Sequence, residues 1–443
     1  MALLGAPSAR RSGLLGPGIQ QAAARSSESV AQVLKDDQGG RLPVAIGLLL
    51  FALLLPTEMS LNLAGLRLTP YRIVLLTTFF SSIRTVRSGL VGRPILADKA
   101  IAAFGAWALF ALLLREGPQR AIESGGIFIA ESLGAYYLAR AHVRDAADLI
   151  AVGKGLFVGM VILSLLAIPE MLTGQRIVHD VAGAIFGGRQ DTLVEGRLGL
   201  SRAYGPFDHP ILYGTFCAAA FSLSRVLSGR RPDLVKDTGR SALVAFAALA
   251  SLSSGCIMAV MFQAGLATYG AVLRQVASRW KLLTAACLGA YALISALSDR
   301  SGLKAVLWYV TLSRDTAAYR IMIWEHAGEN IWRHPLVGIG LENWIRPTWM
   351  PESVDSFWLV LSLSYGLPAV ALLAVACLWL MARVGRRPLG CLAERRLRSA
   401  WCLTFAALLF TGFTVHYWNN VFVLFFFMLG CGGWMARDAE QGA

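Results

Sequence analysis

Apolar residues recur in runs of roughly 15 to 25 along almost the whole chain, separated by short polar gaps. A helix of about 20 apolar residues can cross a hydrocarbon core about 30 Å thick. The pattern therefore predicts an all-α, polytopic integral membrane protein with about 12 transmembrane helices. By residue number, the predicted spans are about 43–58, 70–83, 98–114, 121–139, 148–169, 210–228, 241–254, 257–273, 281–298, 357–381, 400–414 and 418–434.

The composition excludes a soluble enzyme, because 56% of the 443 residues are apolar and only 15% are charged, against about a quarter in soluble domains. The net charge of +14 does not indicate a nucleic-acid partner, since the basic residues are spread over short loops. The seven cysteines show no paired spacing typical of zinc sites or disulfide frameworks. We expect no metal and no cofactor.

The distribution of basic residues predicts the orientation of the chain. Twelve spans place both termini on one side, and 27 of the 41 Lys and Arg residues lie on that side. The positive-inside rule then makes both termini cytoplasmic. The first 40 residues are rich in Ala, Ser, Gly and Arg and are predicted to form a disordered cytoplasmic tail.

Two of the predicted extracytoplasmic loops are long, and long loops in compact proteins are usually functional. The second one contains an amphipathic helix from about residue 316 to 333, on which Arg320 and Trp324 share a face. The chain thus divides into the tail (1–40), N-terminal helices (41–169), the first loop (170–209), central helices (210–298), the large loop (299–355) and C-terminal helices (356–443).

The large loop is rich in tryptophan. Five of the twelve tryptophans lie in it, namely Trp308, Trp324, Trp332, Trp344 and Trp349. Such residues form aromatic belts at membrane surfaces. They also form platforms for sugars or lipid headgroups, because a flat ring buries apolar area and keeps a polar group available. The sequence leaves both interpretations open.

Two ionisable residues fall inside predicted spans. Glu131 lies about 12 Å from the cytoplasmic end of its span, and Lys154 lies about 9 Å from the end of the next, antiparallel span. The two are placed to form a pair. Intramembrane charges are functional candidates, but a structural ion pair, or a lysine that reaches the surface, is favoured because Lys154 lies near enough to water.

Two loop segments and the start of span ten contain motifs that resemble those of a known protein family. They are Arg202-Ala-Tyr-Gly-Pro-Phe-Asp-His-Pro210, then Tyr319-Arg-Ile-Met-Ile-Trp324 followed by His334-Pro-Leu-Val-Gly-Ile-Gly340, and finally Val354-Asp-Ser-Phe-Trp358 with Tyr365-Gly-Leu-Pro368. In order and spacing, these motifs resemble the O-antigen ligase and O-antigen polymerase superfamily. The resemblance covers about residues 197–381.

The resemblance implies a metal-independent glycosyltransferase of the bacterial inner membrane, with periplasmic active-site loops and a sugar chain on undecaprenyl diphosphate as donor. In such proteins one arginine from each loop holds the diphosphate, and the matching positions are Arg202 and Arg320. A guanidinium fork stabilises the charge that develops on a diphosphate leaving group. The same loops supply the substrate-binding candidates Arg197, His209, Arg300, Trp324 and His326.

One position departs from the ligase pattern. Ligases typically carry a histidine where this chain has Asp355, and that histidine is thought to act on the acceptor hydroxyl. A carboxylate within hydrogen-bonding reach can serve as general base, so Asp355 is the predicted base, with His209, His326 and His334 as alternatives. Asp355 or Ser356 is equally placed to cap span ten, and His209 to belong to the cap before Pro210.

The departure favours a polymerase of exopolysaccharide or O-antigen repeat units over a ligase that transfers glycan to lipid A core. A transporter or flippase for lipid-linked sugars would depend on Glu131, Lys154 and the helix break at residues 251–255. A scaffold that regulates chain length without chemistry has no positive sequence feature.

The expected partners are the lipid-linked oligosaccharide, membrane lipids and a chain-length regulator, and no nucleic acid. The arginine-rich segment 383–398 is explained by orientation, with anionic lipid as an alternative.

Overall fold

The structure, a computed structural model, describes residues 41–63, 66–187, 196–228, 233–297, 314–387 and 391–437. It is mostly helical, with 73% helix and 2% strand. Within these described ranges, five helical segments are long and apolar enough to cross a membrane: Leu96–His142, Ala146–Thr173, Ser254–Val272, Phe357–Arg386 and Asn419–Ala436. This agrees with a helical membrane protein, while the total of about 12 spans stays a prediction.

The N-terminal half begins with α1 (Val44–Ala52), the hairpin strands β1 (Leu61–Leu63) and β2 (Leu66–Leu68), and α2 (Pro70–Arg87). Helices α3 (Leu96–Ile129) and α4 (Ala135–His142) are joined by a π-helical turn, Ala130–Gly134. They are followed by α5 (Ala146–Thr173) and α6 (Ile177–Phe186).

The rest of the described chain contains eight helices of ten residues or more, one four-residue helix and one 3₁₀ turn. Their bounds are α7 (Pro210–Ala219), α8 (Phe221–Ser224), α9 (Leu234–Leu249), α10 (Ser254–Val272), α11 (Arg279–Leu297), α12 (Arg314–Arg333), α13 (Phe357–Arg386), α14 (Leu392–Thr411), α15 (Asn419–Cys431) and a 3₁₀ turn at Gly433–Ala436.

Helix α3 folds back on itself at Gly117, which has a positive φ of 79° and precedes Pro118. The two arms run antiparallel, because Tyr136 donates a hydrogen bond to Asp98 at 2.7 Å across them. Two predicted spans, 98–114 and 121–139, therefore correspond to the two arms of one interrupted helix and its continuation.

Several predicted spans have different bounds in the structure. The first predicted span continued to residue 58, but α1 ends at Ala52 and a turn leads into the β-hairpin. The predicted span 210–228 consists of the short helices α7 and α8. The first predicted loop, 170–209, contains the helix α6, which was not predicted.

The core is built around α15. In the span Asn419–Ala436, 94% of the residues are buried. Phe425 of this helix stands beside the rings of Phe357, Phe405 and Tyr417. Surrounding helices thus bury a central apolar helix on all sides, as expected for a helix without a polar face.

The large loop has its own small core. The amphipathic helix predicted at about 316–333 is present as α12. Its buried face packs Ile323, Ala327 and Ile331 against Trp344 and Val354 of the following segment. Asn330 closes this unit, since its side chain donates to the carbonyl of Ile345 and accepts from the amide of the same residue, both at 2.9 Å.

Candidate functional site

The segment that begins at Arg202 is fixed by buried polar contacts. The carboxylate of Glu170, near the end of α5, accepts hydrogen bonds at 2.8 Å from the backbone amides of Tyr204 and Gly205. Gly205 has a φ of 53°, and a Cβ there would lie 3.1 Å from the ring of Tyr213. Glu170 is not recognisable from the sequence, because its partners are backbone amides about 35 residues away and leave no local pattern.

Asp208 holds the other end of this segment. It accepts hydrogen bonds from Thr57 at 2.5 Å and from the side-chain amide of Asn419 at 2.6 Å. These partners come from distant parts of the chain, one after α1 and one at the start of α15. Hydrogen bonds from distant parts of the chain therefore hold the segment that carries Arg202.

Arg202 and Arg197 both bind the break between α9 and α10. The Nε of Arg202, which is 5% exposed, donates to the carbonyl of Ser251 at 2.9 Å. The guanidinium of Arg197 donates to the carbonyl of Leu252 at 3.1 Å. Burial, together with the nearby charge of Arg197, lowers the pKa of Arg202. The break that a transporter would need thus serves here to position two arginines.

Arg320 comes from the large loop to the same place. It lies on α12, is 5% exposed, and interacts electrostatically with Asp355, Arg197 and Cys256. Cys256, in the first turn of α10, also interacts with Arg202. Burial lowers the pKa of Arg320, and Asp355 opposes that effect. The two predicted diphosphate arginines therefore share their neighbours.

Asp355 is available for chemistry, because another residue caps the helix. Ser356 is the N-cap of α13, and its hydroxyl accepts from the amide of Leu359. Burial raises the pKa of Asp355, and the charge of Arg320 partly offsets this. A carboxylate with a raised pKa is a stronger base, which suits proton abstraction from a hydroxyl group.

Together these residues form the arginine cluster, which consists of Arg197, Arg202, Arg320 and Asp355. Three guanidinium groups accompany one carboxylate, and the N-terminus of α10 adds the positive end of a helix dipole. Such an arrangement can bind a diphosphate and stabilise negative charge on it. The carboxylate beside it can accept a proton.

The predicted histidines lie in three different settings. His209 is the N-cap of α7, as the alternative interpretation held, and its Nδ1 accepts from the amide of Ile211 at 3.1 Å. Burial and the charges of Arg202 and Arg176 lower its pKa to about 4. A neutral ring that accepts at Nδ1 carries its proton on Nε2, so His209 can donate to a substrate oxygen but is poorly suited as a base.

His334 lies 3.0 Å from the guanidinium of Arg115, and His326 lies on α12. Neither has a described contact with Arg202, Arg320 or Asp355. Trp324 stacks on Phe413 with ring centroids 6.1 Å apart. Arg300 lies outside the described residues, as do the tail 1–40 and Trp308.

The loop tryptophans divide between core and surface. Trp344 is buried, and its indole donates to the carbonyl of Glu352 at 2.9 Å. Trp332 and Trp349 are 75% and 64% exposed. Trp332 and Trp349 are therefore placed to meet a membrane surface or a glycan, while Trp324 is half-buried.

Glu131 does not pair with Lys154, which is exposed. It forms an ion pair with Arg72 at 2.7 Å, and the hydroxyl of Tyr71 donates to it at 3.2 Å. Glu131 lies in the π-helical turn, and such turns occur frequently at functional sites.

A half-open cavity of about 240 Å³ adjoins this ion pair. Its lining combines aromatic rings with polar groups and includes Ser124, Glu131, Tyr365, His416, Trp418 and Asn419. The ring of Trp418 lies 6.1 Å from His209 and 5.3 Å from His416. The cavity thus approaches the arginine cluster through Trp418 and His209.

Among the described residues, no group of three or more His, Cys, Asp or Glu side chains is arranged to hold a metal ion. No protein-family model matches the chain, and no curated protein is similar enough to count as a relative.

Proposed function

We propose that this protein is a membrane glycosyltransferase of the O-antigen ligase and polymerase type, which polymerises undecaprenyl-diphosphate-linked repeat units of a surface polysaccharide or exopolysaccharide. The arginine cluster is the observation that carries the proposal. It brings arginines from two distant loops to shared neighbours, and one of them, Arg320, interacts with the half-buried carboxylate of Asp355. In this proposal, the cluster faces the periplasm of a bacterial inner membrane and both termini are cytoplasmic.

In the proposed reaction, Asp355 removes the proton from an acceptor hydroxyl. The resulting oxygen attacks the anomeric carbon of the lipid-linked sugar, and the bond between that carbon and the diphosphate oxygen breaks. Undecaprenyl diphosphate leaves with the bonding electrons, and Arg202 and Arg320 stabilise its charge. Direct displacement inverts the anomeric configuration.

The carboxylate at position 355 favours a polymerase over a ligase, because the ligase pattern has histidine there. The aromatic and polar cavity beside Trp418 offers a place for a sugar ring near the reacting centre.

Lipid-linked sugar transport is the second candidate function. The buried Arg72–Glu131 pair and its π-helical turn favour it. Glu131→Gln and Arg320→Ala discriminate between the two functions. If only Glu131→Gln fails to restore polysaccharide production in a deletion strain, the result indicates transport. If only Arg320→Ala fails, it indicates glycosyl transfer.

The test measures the length of the glycan on undecaprenyl diphosphate in a deletion strain that re-expresses the wild type, Arg320→Ala or Asp355→Ala. Arg333→Ala is the matched control, because Arg333 is exposed at the end of the same helix. A polymerase requires that single repeats accumulate and that only the wild type and the control restore long chains. Long lipid-linked chains that never reach lipid A would identify a ligase. Unchanged glycans would contradict both.

A further inference from the structure

A second group of arginines lies at the opposite end of α15 from Asn419. Arg437 follows the 3₁₀ turn, and its side chain passes Gly92, where a Cβ would lie 3.2 Å from the Cδ of Arg437. Arg140, at the end of α4, packs beside Gly433. Arg387 follows α13 and donates to the carbonyl of Trp434 at 2.8 Å. The ends of three separate helices thus meet here.

Positive charge is in excess among these residues. Arg437 interacts electrostatically with Arg140, Arg144 and Arg387, and the carboxylate that faces it is Asp98. Asp98 is already engaged, since it binds Arg140 at 3.2 Å and Tyr136 at 2.7 Å. Three guanidinium groups, those of Arg140, Arg387 and Arg437, therefore accompany the one carboxylate of Asp98, while Arg144 also interacts with Asp148. Positive charge exceeds negative charge around Arg437.

In another arginine group of the structure, each guanidinium group has a direct carboxylate partner. Asp237 is buried and lies 2.9 Å from Arg396 and 3.4 Å from Arg240. Its carboxylate serves both arginines directly. Arg437, in contrast, has no ion pair among the described residues.

Buried hydrogen-bond donors point to the same conclusion. Within the described residues, Nε and Nη2 of Arg437, Nη2 of Arg140 and the indole nitrogen of Trp434 are buried and have no hydrogen-bond partner. Arg140 is fully buried. Buried donors in folded proteins almost always have an acceptor. Four such donors on residues that meet at these helix ends, beside surplus positive charge, fit an anion with several oxygen atoms.

We propose that Arg140, Arg387, Arg437 and Trp434 form a binding site for a phosphate group. A phosphate offers oxygen acceptors in the geometry that guanidinium forks bind, and it carries the charge that the cluster needs. The site does not depend on the proposed glycosyl transfer, because it shares no residue with the arginine cluster.

The phosphate belongs to an anionic phospholipid or to a free phosphate ion. Leu90, two residues before Gly92, is 75% exposed and offers an apolar surface next to the site. A lipid uses both features, since its phosphate meets the arginines and its acyl chains meet the leucine. A free ion uses the arginines alone.

The experiment uses the full-length protein in two arms. In the first, the protein is placed in nanodiscs of phosphatidylcholine with increasing phosphatidylglycerol, and retained lipid is counted by native mass spectrometry. In the second, inorganic phosphate is titrated in detergent at constant ionic strength, and thermal unfolding is recorded. Both arms compare the wild type with Arg437→Gln, Arg437→Lys and Arg386→Gln. Arg386 is the matched control, because it is exposed one position before Arg387.

We expect the wild type and Arg386→Gln to retain phosphatidylglycerol, and Arg437→Gln to bind it about tenfold more weakly, which corresponds to about 1.4 kcal/mol. Arg437→Lys keeps the positive charge but removes the guanidinium fork, so we expect it to bind phosphatidylglycerol more weakly as well. This variant replaces Arg437→Gln in the comparison if Arg437→Gln fails to fold. Stabilisation by inorganic phosphate that Arg437 variants lose identifies a free ion as a ligand. Equal binding by all variants in both arms, or Arg437→Lys equal to the wild type, would overturn the proposal.

Discussion

Arg72 reaches Glu131 across 2.7 Å in the interior of the helical bundle and joins α2 to the π-helical turn. The side chains are only 14% and 9% exposed. Breaking a buried pair by removing one partner costs about 3–5 kcal/mol, because the other charge stays buried without compensation.

We therefore expect Glu131→Leu and Arg72→Met each to lower the free energy of unfolding by about that amount, and the double variant to recover most of it. A double-mutant cycle of unfolding in detergent measures the coupling. Strictly additive effects would show that the pair contributes nothing beyond its separate side chains.

A second buried pair gives the protein a dependence on pH. His179 lies 2.8 Å from Glu58, and its Nε2 donates to the carbonyl of Phe207 at 3.0 Å. Burial disfavours both charged forms, but mutual attraction outweighs it and lowers the pKa of Glu58 while raising that of His179. The stabilisation of the folded state by protonated His179 is fully present below pH 6.5 and is lost as pH rises through its raised pKa. The stabilisation by ionised Glu58 is fully present above pH 4.5 and is lost as pH falls through its lowered pKa.

His179→Gln should accordingly cost about 1.5–3 kcal/mol between pH 4.5 and 6.5 and less at alkaline pH. Unfolding profiles of the wild type, His179→Gln and Glu58→Gln from pH 4 to 9 test this. The same loss at every pH would contradict an ionised pair.

The pH dependence of glycosyl transfer tests Asp355. Its pKa is raised by burial, so activity should fall on the acid side through a pKa above 3.8. Asp355→Asn should lower the rate about 10²–10⁴-fold, and Asp355→Glu should retain part of it. An Asp355→Asn variant with the wild-type rate would assign the proton transfer to another group.

Positions 338 and 366 require glycine, because the backbone around each one packs closely against the backbone around the other. Both have positive φ, 68° and 80°. A Cβ at Gly338 would collide with the carbonyl of Leu363, and one at Gly366 with the carbonyl of Leu336. The contact also joins Ile339 to Leu363 by a hydrogen bond of 2.7 Å.

Gly366→Ala should therefore destabilise the protein by more than about 1 kcal/mol. Gly239→Ala is the matched control, since Gly239 is exposed within α9 and has open space around it. Helix propensity predicts that the control is stabilised by up to about 1 kcal/mol. Thermal unfolding of both variants measures the contrast, and equal effects would contradict the backbone argument.

The helical, apolar character of the chain and the amphipathic helix that carries Arg320 could be predicted from the sequence, because periodicity and composition are local properties. The sequence also singled out Arg202, Arg320 and Asp355. It could not decide that Ser356 and not Asp355 caps α13, since adjacent residues are equally able to cap and only the backbone path selects one. Depth in the membrane predicted Lys154 as the partner of Glu131, but in the folded chain the partner is Arg72. Glu170, Asp208 and the surplus of charge at Arg437 likewise arise where segments far apart in sequence meet, and such meetings are decided by the folding of the whole chain.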